Sequence, residues 1–236
     1  LDRLLFLRAG ELRLGAGADY PVICDGTHRR DASYRLDEPR IRRLLLALAT
    51  SGAEIAVHGS YLSSSSPGLL GEEYRRLALA GHRPRGGRQH WLRFADGDYF
   101  AEITAAGARW DGTLGLTERP GFRRGAAFPF RPWDWTREHP HDLVELPMVI
   151  MDVALHRWCR RRHCDPWTES RLLLERAAAW GWGGIGVLWH NTAFGGGQLP
   201  PEVARCYWRI IERWPARAGG NLADILAPRF AAAGLG

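Results

Sequence analysis

Short apolar runs alternate with amphipathic helical patterns along this chain, and that alternation limits the fold more than any other feature. The apolar runs are bounded by turn residues and predict buried strands at Pro21–Cys24, Glu54–His58, Arg88–Phe94, Ala108–Asp111, Leu143–Met151 and Gly184–His190. Apolar residues at helical spacing predict helices over 39–52, 67–81 and 166–181 (or 166–183), and one more from residue 201. Residues 98–106 are also interpreted as helical. Strands separated by helices predict parallel βα units.

The spacing of glycines decides between an open sheet and a barrel. Gly195-Gly196-Gly197 follows a predicted strand but lacks the G-x-G-x-x-G spacing of a dinucleotide fold. About six βα units in 236 residues instead fit one barrel domain over 1–236. The segment 113–142 is rich in Pro, Gly, Arg and aromatic residues, and we predict a long loop there, over the active-site face.

The basic residues exclude several kinds of chemistry. All 32 Lys+Arg residues are Arg. A chain without Lys has neither a Walker-type phosphate loop nor a Schiff-base or pyridoxal-phosphate lysine. The net charge is +6. We interpret the run Arg160-Arg161-Arg162 as a basic surface turn and not as a nucleic-acid contact, because one short cluster is a weak footprint for nucleic acid. No apolar run approaches the roughly 20 residues of a membrane span.

Polar side chains fall at or near the ends of four predicted strands. His58 ends one strand and His190 ends another. Arg88 and His90 lie in a third segment, and Asp111 ends a fourth. Because the carboxyl ends of parallel barrel strands meet on one face, we expect these side chains to reach a common cleft. A single histidine at a strand end is more often structural, whereas three of them indicate a site.

An ordered set of short stretches carries a family resemblance. The stretches are His58-Gly59-Ser60-Tyr61, Gly87-Arg88-Gln89-His90-Trp91-Leu92-Arg93-Phe94, Trp110-Asp111-Gly112-Thr113-Leu114-Gly115, Gly121-Phe122-Arg123, Glu145-Leu146-Pro147-Met148, Met151-Asp152 and Leu188-Trp189-His190-Asn191. Together they resemble the NodB-homology polysaccharide deacetylases (carbohydrate esterase family 4), in a divergent bacterial branch. The matches run in order from about Tyr34 to Asn191, which is most of the chain.

The resemblance implies a fold, a reaction and a cofactor. The family fold is a distorted (β/α)7 barrel, and its chemistry is the metal-assisted removal of an N- or O-acetyl group from a glycan. A divalent ion, usually zinc, is held by one Asp and two His; it polarises the acetyl carbonyl and lowers the pKa of its bound water. A carboxylate base takes a proton from that water, and a His donates one to the leaving group.

The family roles transfer to individual positions of this sequence. His58 matches the first metal-binding His, and Arg88 matches the Arg that orients the base. Asp111 matches the Asp of the fourth motif, in a family where one Asp holds and tunes the acid His. His190 matches the His of the fifth motif and is the expected general acid.

Four further residues are candidates for contacting the substrate. Tyr61, Trp91 and Trp189 are expected as aromatic walls against an acetyl group or a sugar ring. Core packing is the alternative for the two tryptophans. Arg123 lies in the long loop and is expected to reach a sugar, with a surface ion pair as the alternative.

The sequence lacks two features of the family pattern. The second metal-binding His belongs four residues after the first, where this chain has Leu62; our hypothesis is that His90 replaces it. The first family motif, with its paired Asp, is absent. In the family resemblance, residues 1–15 correspond to the helix that follows the first strand. We therefore expect this chain to begin inside the barrel, with the carboxylate ligand and the base upstream of residue 1.

Two classes of function remain open from the sequence. One is a metal-dependent deacetylase whose partner is an acetylated glycan. The other is a non-catalytic glycan-binding relative that uses the aromatic cleft without a metal. A nucleic-acid binder is a distant third, and nucleic acid is not an expected partner.

Overall fold

The computed structural model describes residues 2–93, 99–180, 184–195 and 199–232. Within these ranges the chain forms eight α-helices, which are α1 (Asp2–Arg13), α2 (Pro39–Thr50), α3 (Leu69–Leu79), α4 (Tyr99–Ala105), α5 (Asp152–Arg162), α6 (Pro166–Trp180), α7 (Pro201–Arg213) and α8 (Gly219–Ala232). The same ranges contain nine β-strands, which are β1 (Asp19–Val22), β2 (Glu54–Gly59), β3 (Gly86–Gln89), β4 (Trp110–Asp111), β5 (Trp133–Asp134), β6 (His139–Pro140), β7 (Val144–Glu145), β8 (Met148–Met151) and β9 (Gly186–Leu188). The predicted mixed α/β class is confirmed.

The chain divides into two compact units. Unit 1 comprises Leu1–Ala16, Leu114–Pro129 and Leu146–Ala216, and unit 2 comprises Gly17–Thr113, Phe130–Glu145 and Arg217–Gly236. Unit 1 therefore contains the β8–β9 pair with four helices, and unit 2 contains a five-stranded sheet with the other four helices.

The sheet of unit 2 has the order β1-β2-β3-β4-β7, and every pairing in it is parallel. This confirms the prediction of parallel βα units. Val57, Gly87, Asp111 and Glu145 lie opposite one another across four strands. His58 and Arg88 form the next pair along β2 and β3. Because side chains alternate along a strand, the His58 pair projects from the opposite face of the sheet.

The helices of unit 2 follow from their sequence pattern. In α2, Pro39 occupies the first turn, where its missing N–H costs nothing. Leu44, Leu45 and Leu48 share one face of α2 and are buried. Gly52 follows the helix end with a φ of 78°, a left-handed conformation that glycine adopts without a steric penalty.

Trp110 shows why glycine stands at two positions of unit 2. Its indole is almost fully buried, and a Cβ atom at Gly86 or at Gly219 would collide with the ring. The indole N–H donates a hydrogen bond of 2.8 Å to Glu54 Oε1. Glycine at these two positions thus lets β3 and α8 approach the indole closely.

Unit 1 has its own apolar core. Buried residues of β8 and of helices α5, α6 and α7 form it, namely Val149, Ile150, Leu155, Cys159, Leu173, Leu174, Cys206 and Ile210. The predicted start of α6 is confirmed, since Asp165 precedes it and accepts the N–H of Thr168 at 2.8 Å. This carboxylate satisfies one of the amides that a helix N-terminus leaves without an intrahelical partner.

The strand predicted over Arg88–Phe94 is wrong in its second half. β3 ends at Gln89, and His90–Leu92 form a 3₁₀ turn. Trp91 and Leu92 have φ values of 61° and 50°, which no strand tolerates. Phe94 lies outside the described residues.

Other boundaries also need correction. The strand predicted over Leu143–Met151 is two strands, β7 and β8, which belong to different sheets and flank Pro147. A proline lacks the N–H that a continuous ladder requires. The Arg160–Arg162 run is not a turn but the last turn of α5.

Two further features were not predicted. The 113–142 segment contains the antiparallel hairpin β5–β6 rather than loop alone, and helix α8 had no counterpart in the sequence prediction. None of the described helices is both long and apolar enough to cross a membrane.

Candidate functional site

Two histidine rings meet at the carboxyl ends of β2 and β3. His58 is the fifth residue of β2, and His90 is the first residue after β3. Parallel pairing of these strands brings the rings together, with His58 Nε2 and His90 Nδ1 2.9 Å apart. The expectation that strand-end polar residues converge therefore holds for this pair.

A backbone carbonyl fixes the orientation of the His90 ring. His90 Nε2 lies 2.8 Å from the carbonyl oxygen of Arg30. A carbonyl only accepts hydrogen bonds, so His90 Nε2 carries the proton. In a neutral His90 ring Nδ1 is then the acceptor, and His58 Nε2 donates to it. The pair thus holds one defined tautomer of each ring.

A buried carboxylate anchors the turn that follows His58. The N–H of Ser60 donates to Glu73 Oε1 and Oε2 at 3.3 Å and 3.1 Å. Glu73 belongs to α3 and is 1% exposed. Burial raises the pKa of Glu73 to about 7, although its hydrogen bonds with Ser60 oppose that rise. Glu73 therefore changes charge near neutral pH.

The His58–His90 pair supplies nitrogen donors that a divalent metal uses. Zinc binds histidine nitrogens tetrahedrally at about 2.0–2.1 Å, which places two ligand nitrogens about 3.4 Å apart. The distance between His58 Nε2 and His90 Nδ1, now 2.9 Å, would therefore have to grow by roughly half an ångström. The bond from His90 to the Arg30 carbonyl is the outer contact typical of metal-binding histidines. Within the described ranges no group of three or more His, Cys, Asp or Glu side chains is arranged to hold a metal ion. The pair therefore offers at most two nitrogen ligands, and His58 Nε2, which donates its proton to His90 Nδ1, would first have to lose that proton.

Arg88 lies beside His58 in the strand register and on the same face of the sheet. Its Nε is buried and has no hydrogen-bond partner among the described residues. Burial lowers the pKa of the guanidinium, and the carboxylates of Asp19 and Asp111 oppose that effect. A buried guanidinium N–H without an acceptor is costly, and it is available to an incoming acceptor.

Asp111 lies on the other face of the sheet from His58 and Arg88. It accepts hydrogen bonds from Tyr99 Oη at 2.7 Å and from the Thr113 N–H at 3.0 Å. Burial raises the pKa of Asp111, while hydrogen bonds, the largest of them with Glu145, act against the rise. The structure thus places Asp111 in a buried polar network and not with the histidine pair.

Tyr61 and Trp91 differ in the surface they present. The Tyr61 ring stacks on His28, with centroids 4.4 Å apart and planes at 13°. The guanidinium of Arg93 also lies against the Tyr61 ring, 4.3 Å from its centroid. Trp91 is 52% exposed. Trp91 therefore offers a ring to a ligand, whereas the Tyr61 ring already packs against protein groups.

His190 forms a second histidine site, within unit 1. Its Nδ1 lies 2.7 Å from Asp152 Oδ1, and its backbone N–H donates to Asp152 Oδ2 at 2.8 Å. Asp152 is fully buried, while the His190 side chain is 44% exposed. A carboxylate accepts hydrogen bonds, so Nδ1 carries the proton and Nε2 is left for other contacts.

Trp189 and Arg123 are placed as packing and loop residues of unit 1. The indole N–H of Trp189 donates to the Val203 carbonyl at 2.9 Å, and the ring packs on Tyr207 at a centroid distance of 5.6 Å. Arg123 Nη1 donates to the Gly115 carbonyl at 3.3 Å. These contacts favour the packing alternative for Trp189.

Sequence reasoning missed two residues and one segment that organise these sites. Asp152 could have been found, since it directly follows the buried strand β8 and was part of one matched stretch. The His28–Arg30 segment follows the end of β1, at the same edge of the sheet as His58 and His90. Glu73 carried no signal, because nothing in a helical sequence shows which turn it will anchor.

Comparison with known proteins adds no assignment. No protein-family model matches the chain, and no curated protein matches it.

Proposed function

We propose that this protein is a metal-dependent deacetylase that hydrolyses N- or O-acetyl groups on a glycan, built on a distorted (β/α)7 barrel. The parallel sheet with helices in unit 2 supports the α/β part of this proposal. The ordered resemblance to polysaccharide deacetylases supports the reaction. The single observation that carries it is the His58–His90 pair, at the carboxyl ends of neighbouring parallel strands.

In this proposal His58 and His90 hold a divalent ion, with zinc the expected metal. When bound, the ion supplies Lewis-acid polarisation of the acetyl carbonyl and a lowered pKa of its water. The Arg30 carbonyl keeps His90 Nε2 protonated, so that His90 Nδ1 faces His58. The chain's own contribution is thus to orient both rings before a ligand arrives.

His190 is the proposed general acid. Water loses a proton to a carboxylate base, which the family resemblance implies, and adds to the acetyl carbon. The C–N or C–O bond to the sugar then breaks, and the leaving nitrogen or oxygen takes a proton from His190. Asp152 holds Nδ1–H of His190, so the doubly protonated ring would give its other proton, on Nε2, to the leaving atom. Arg88 offers its buried Nε–H to an acceptor, which agrees with the family role of orienting a carboxylate base.

Zinc titration by calorimetry tests whether the His58–His90 pair binds a metal. Wild-type protein should bind zinc with a dissociation constant of about 1 μM or tighter, and His58→Ala and His90→Ala should each weaken binding at least about tenfold. His82→Ala is the matched control, because His82 belongs to the same unit but lies outside the pair. Unchanged affinity in His90→Ala would end the metal assignment.

Acetate release tests the reaction itself. N-acetylated and O-acetylated glycans should both be offered, with the zinc-loaded wild type and His190→Ala compared. We expect release by the wild type and a loss of about 10²-fold or more in the variant, which is the usual scale of general acid catalysis. Zinc binding without release from any acetylated glycan would favour the non-catalytic glycan binder instead.

A further inference from the structure

A compact cluster of rings and guanidinium groups borders the histidine pair. The cluster consists of His28, Arg30, Tyr61, Trp91 and Arg93, which we call the Tyr61 cluster. Its members come from the turn after β1, the turn after β2 and the 3₁₀ turn after β3. It therefore lies at the carboxyl edge of the parallel sheet, where ligands of α/β proteins bind.

Tyr61 holds two guanidinium groups in place. The Cζ atoms of Arg30 and Arg93 lie 4.7 Å and 4.3 Å from the centroid of its ring. Arg30 Nη1 also donates to Tyr61 Oη at 2.6 Å, and Arg93 Nε donates to Ser64 Oγ at 2.8 Å. Two like charges are thus fixed near one ring by cation–π contacts and neutral acceptors.

These two charges are not neutralised by ion pairs within the described ranges. The ion pairs found there involve other arginines, such as those at Glu72 and Glu118, and neither Arg30 nor Arg93 takes part in one. The nearby carboxylate of Asp31 accepts the backbone N–H groups of Tyr61 and His28, at 2.8 Å and 3.0 Å. Asp31 thus holds the turns together and leaves the guanidinium groups for a ligand.

Trp91 places an exposed aromatic ring beside these charges. Arg30 Cζ lies 5.0 Å from the Trp91 ring, and the His90 ring is 6.2 Å from the Trp91 ring. The left-handed backbone at Trp91, with φ at 61°, turns the chain out of β3 at this point. An aromatic face next to two guanidinium groups suits a sugar ring that bears an anionic group.

We propose that the Tyr61 cluster is a subsite for an acidic sugar, so that the substrate is a glycan in which a carboxylate-bearing residue neighbours the acetylated one. This inference rests on the proposed deacetylase function for the acetylated residue, but the binding it predicts does not require the metal. Arg30 and Arg93 bind the carboxylate, and Trp91 stacks on the sugar ring. The Arg30 carbonyl meanwhile orients His90, which links the subsite to the histidine pair.

Calorimetry without added metal tests the subsite. The probes are a hyaluronan oligosaccharide, with alternating N-acetylhexosamine and hexuronate, and a neutral chito-oligosaccharide of the same length. We expect the acidic probe to bind about tenfold tighter, and Arg30→Ala or Arg93→Ala to remove that preference, as loss of one charge-assisted contact would. Arg75→Ala removes one exposed charge from α3 and is the control that should leave the preference unchanged.

Three outcomes would overturn the inference. They are equal binding of both probes, an unchanged preference in both arginine variants, and tighter binding of a single-stranded oligonucleotide than of the acidic glycan. Its failure is distinguishable from that of the proposed function, because Arg93→Ala removes a side chain that contacts Tyr61 and Ser64 and not the histidine rings. Zinc binding in that variant should match the wild type even when acidic-sugar binding is lost.

Discussion

Two turns of this molecule are each held by a buried carboxylate that accepts a backbone N–H, but they differ in what holds the nearby histidine ring. After β2, the buried carboxylate of Glu73 accepts the N–H of Ser60. After β9, the buried carboxylate of Asp152 accepts the N–H of His190. Only Asp152 also reaches the histidine ring, at 2.7 Å, whereas the ring of His90 near the first turn is held by a backbone carbonyl.

The difference shows how the ring partner selects the chemistry of a histidine. A carbonyl fixes the tautomer of His90 and leaves a lone pair on Nδ1, which is what a metal ligand or an acceptor needs. A carboxylate holds the Nδ1–H of His190 and leaves Nε2 exposed, so that Nε2 accepts a proton in the neutral ring and donates one in the doubly protonated ring. The four predictions below test this comparison.

Removing Asp152 should have the largest effect. Asp152→Ala leaves the N–H groups of His190 and Val153 without their acceptor, and we expect the free energy of unfolding to fall by about 2–3 kcal/mol. Chemical denaturation measures it. His190→Ala is the control: its ring is 44% exposed, so it should cost less. An equal cost in both variants would contradict the view that Asp152 anchors the turn as well as the ring.

Glu73 should make stability depend on pH. Its pKa is about 7 in the folded protein against an ordinary value of 4.5, so between these values the folded state binds more protons than the unfolded state. Stability is therefore highest below about pH 4.5 for this group, and falls by about 2–3 kcal/mol as the pH rises towards 7.

Glu73→Gln should abolish that slope when unfolding is measured from pH 5 to 8. Glu72→Gln is a matched control on the same helix, because the pKa of Glu72 is lowered to about 2, chiefly by the hydrogen bond from Arg75. Any stability from Glu72 is thus lost only as the pH falls from 4.5 towards 2. An unchanged slope in Glu73→Gln would place the titrating group elsewhere.

His90→Ala should lower the free energy of unfolding by about 1 kcal/mol. It removes the contacts with His58 and with the Arg30 carbonyl from a partly buried site. Nitrogen NMR of the wild-type rings should also show His90 protonated at Nε2 and His58 protonated at Nε2. Protonation of His90 at Nδ1 alone would refute the carbonyl anchor.

Tyr61→Phe should have the smallest effect. It removes the hydroxyl that accepts a hydrogen bond from Arg30 at an exposed position but keeps the ring that stacks on His28. We therefore expect the free energy of unfolding to fall by less than about 0.5 kcal/mol. Thermal unfolding measures it, with Tyr61→Ala as the comparison that removes the stacking as well. A loss as large as that of His90→Ala would mean that the Arg30 contact is not solvent-screened.

Sequence patterns predicted the regular parts of the fold well. The helix at 39–52 and the strand at Glu54–His58 appear as α2 and β2 within about two residues, because apolar spacing records which face is buried. The end of β3 was missed, since the left-handed backbone at Trp91 and Leu92 leaves no pattern in apolar spacing. The division of 143–151 between two sheets depended on partners distant in sequence.

For the candidate site, the sequence by itself determined which residue types stand at the ends of the strands. It thereby determined His58, His90 and His190 as candidates, since strand alternation and turn residues are local properties of the chain. Tertiary structure alone decided their partners. Each partner is distant in sequence: the Arg30 carbonyl, Asp152 and the two guanidinium groups at Tyr61 lie between 31 and 60 residues from the groups they contact. Such contacts form only when strands pair and helices pack, and they give the His90 ring a backbone carbonyl and the His190 ring a buried carboxylate as its partner.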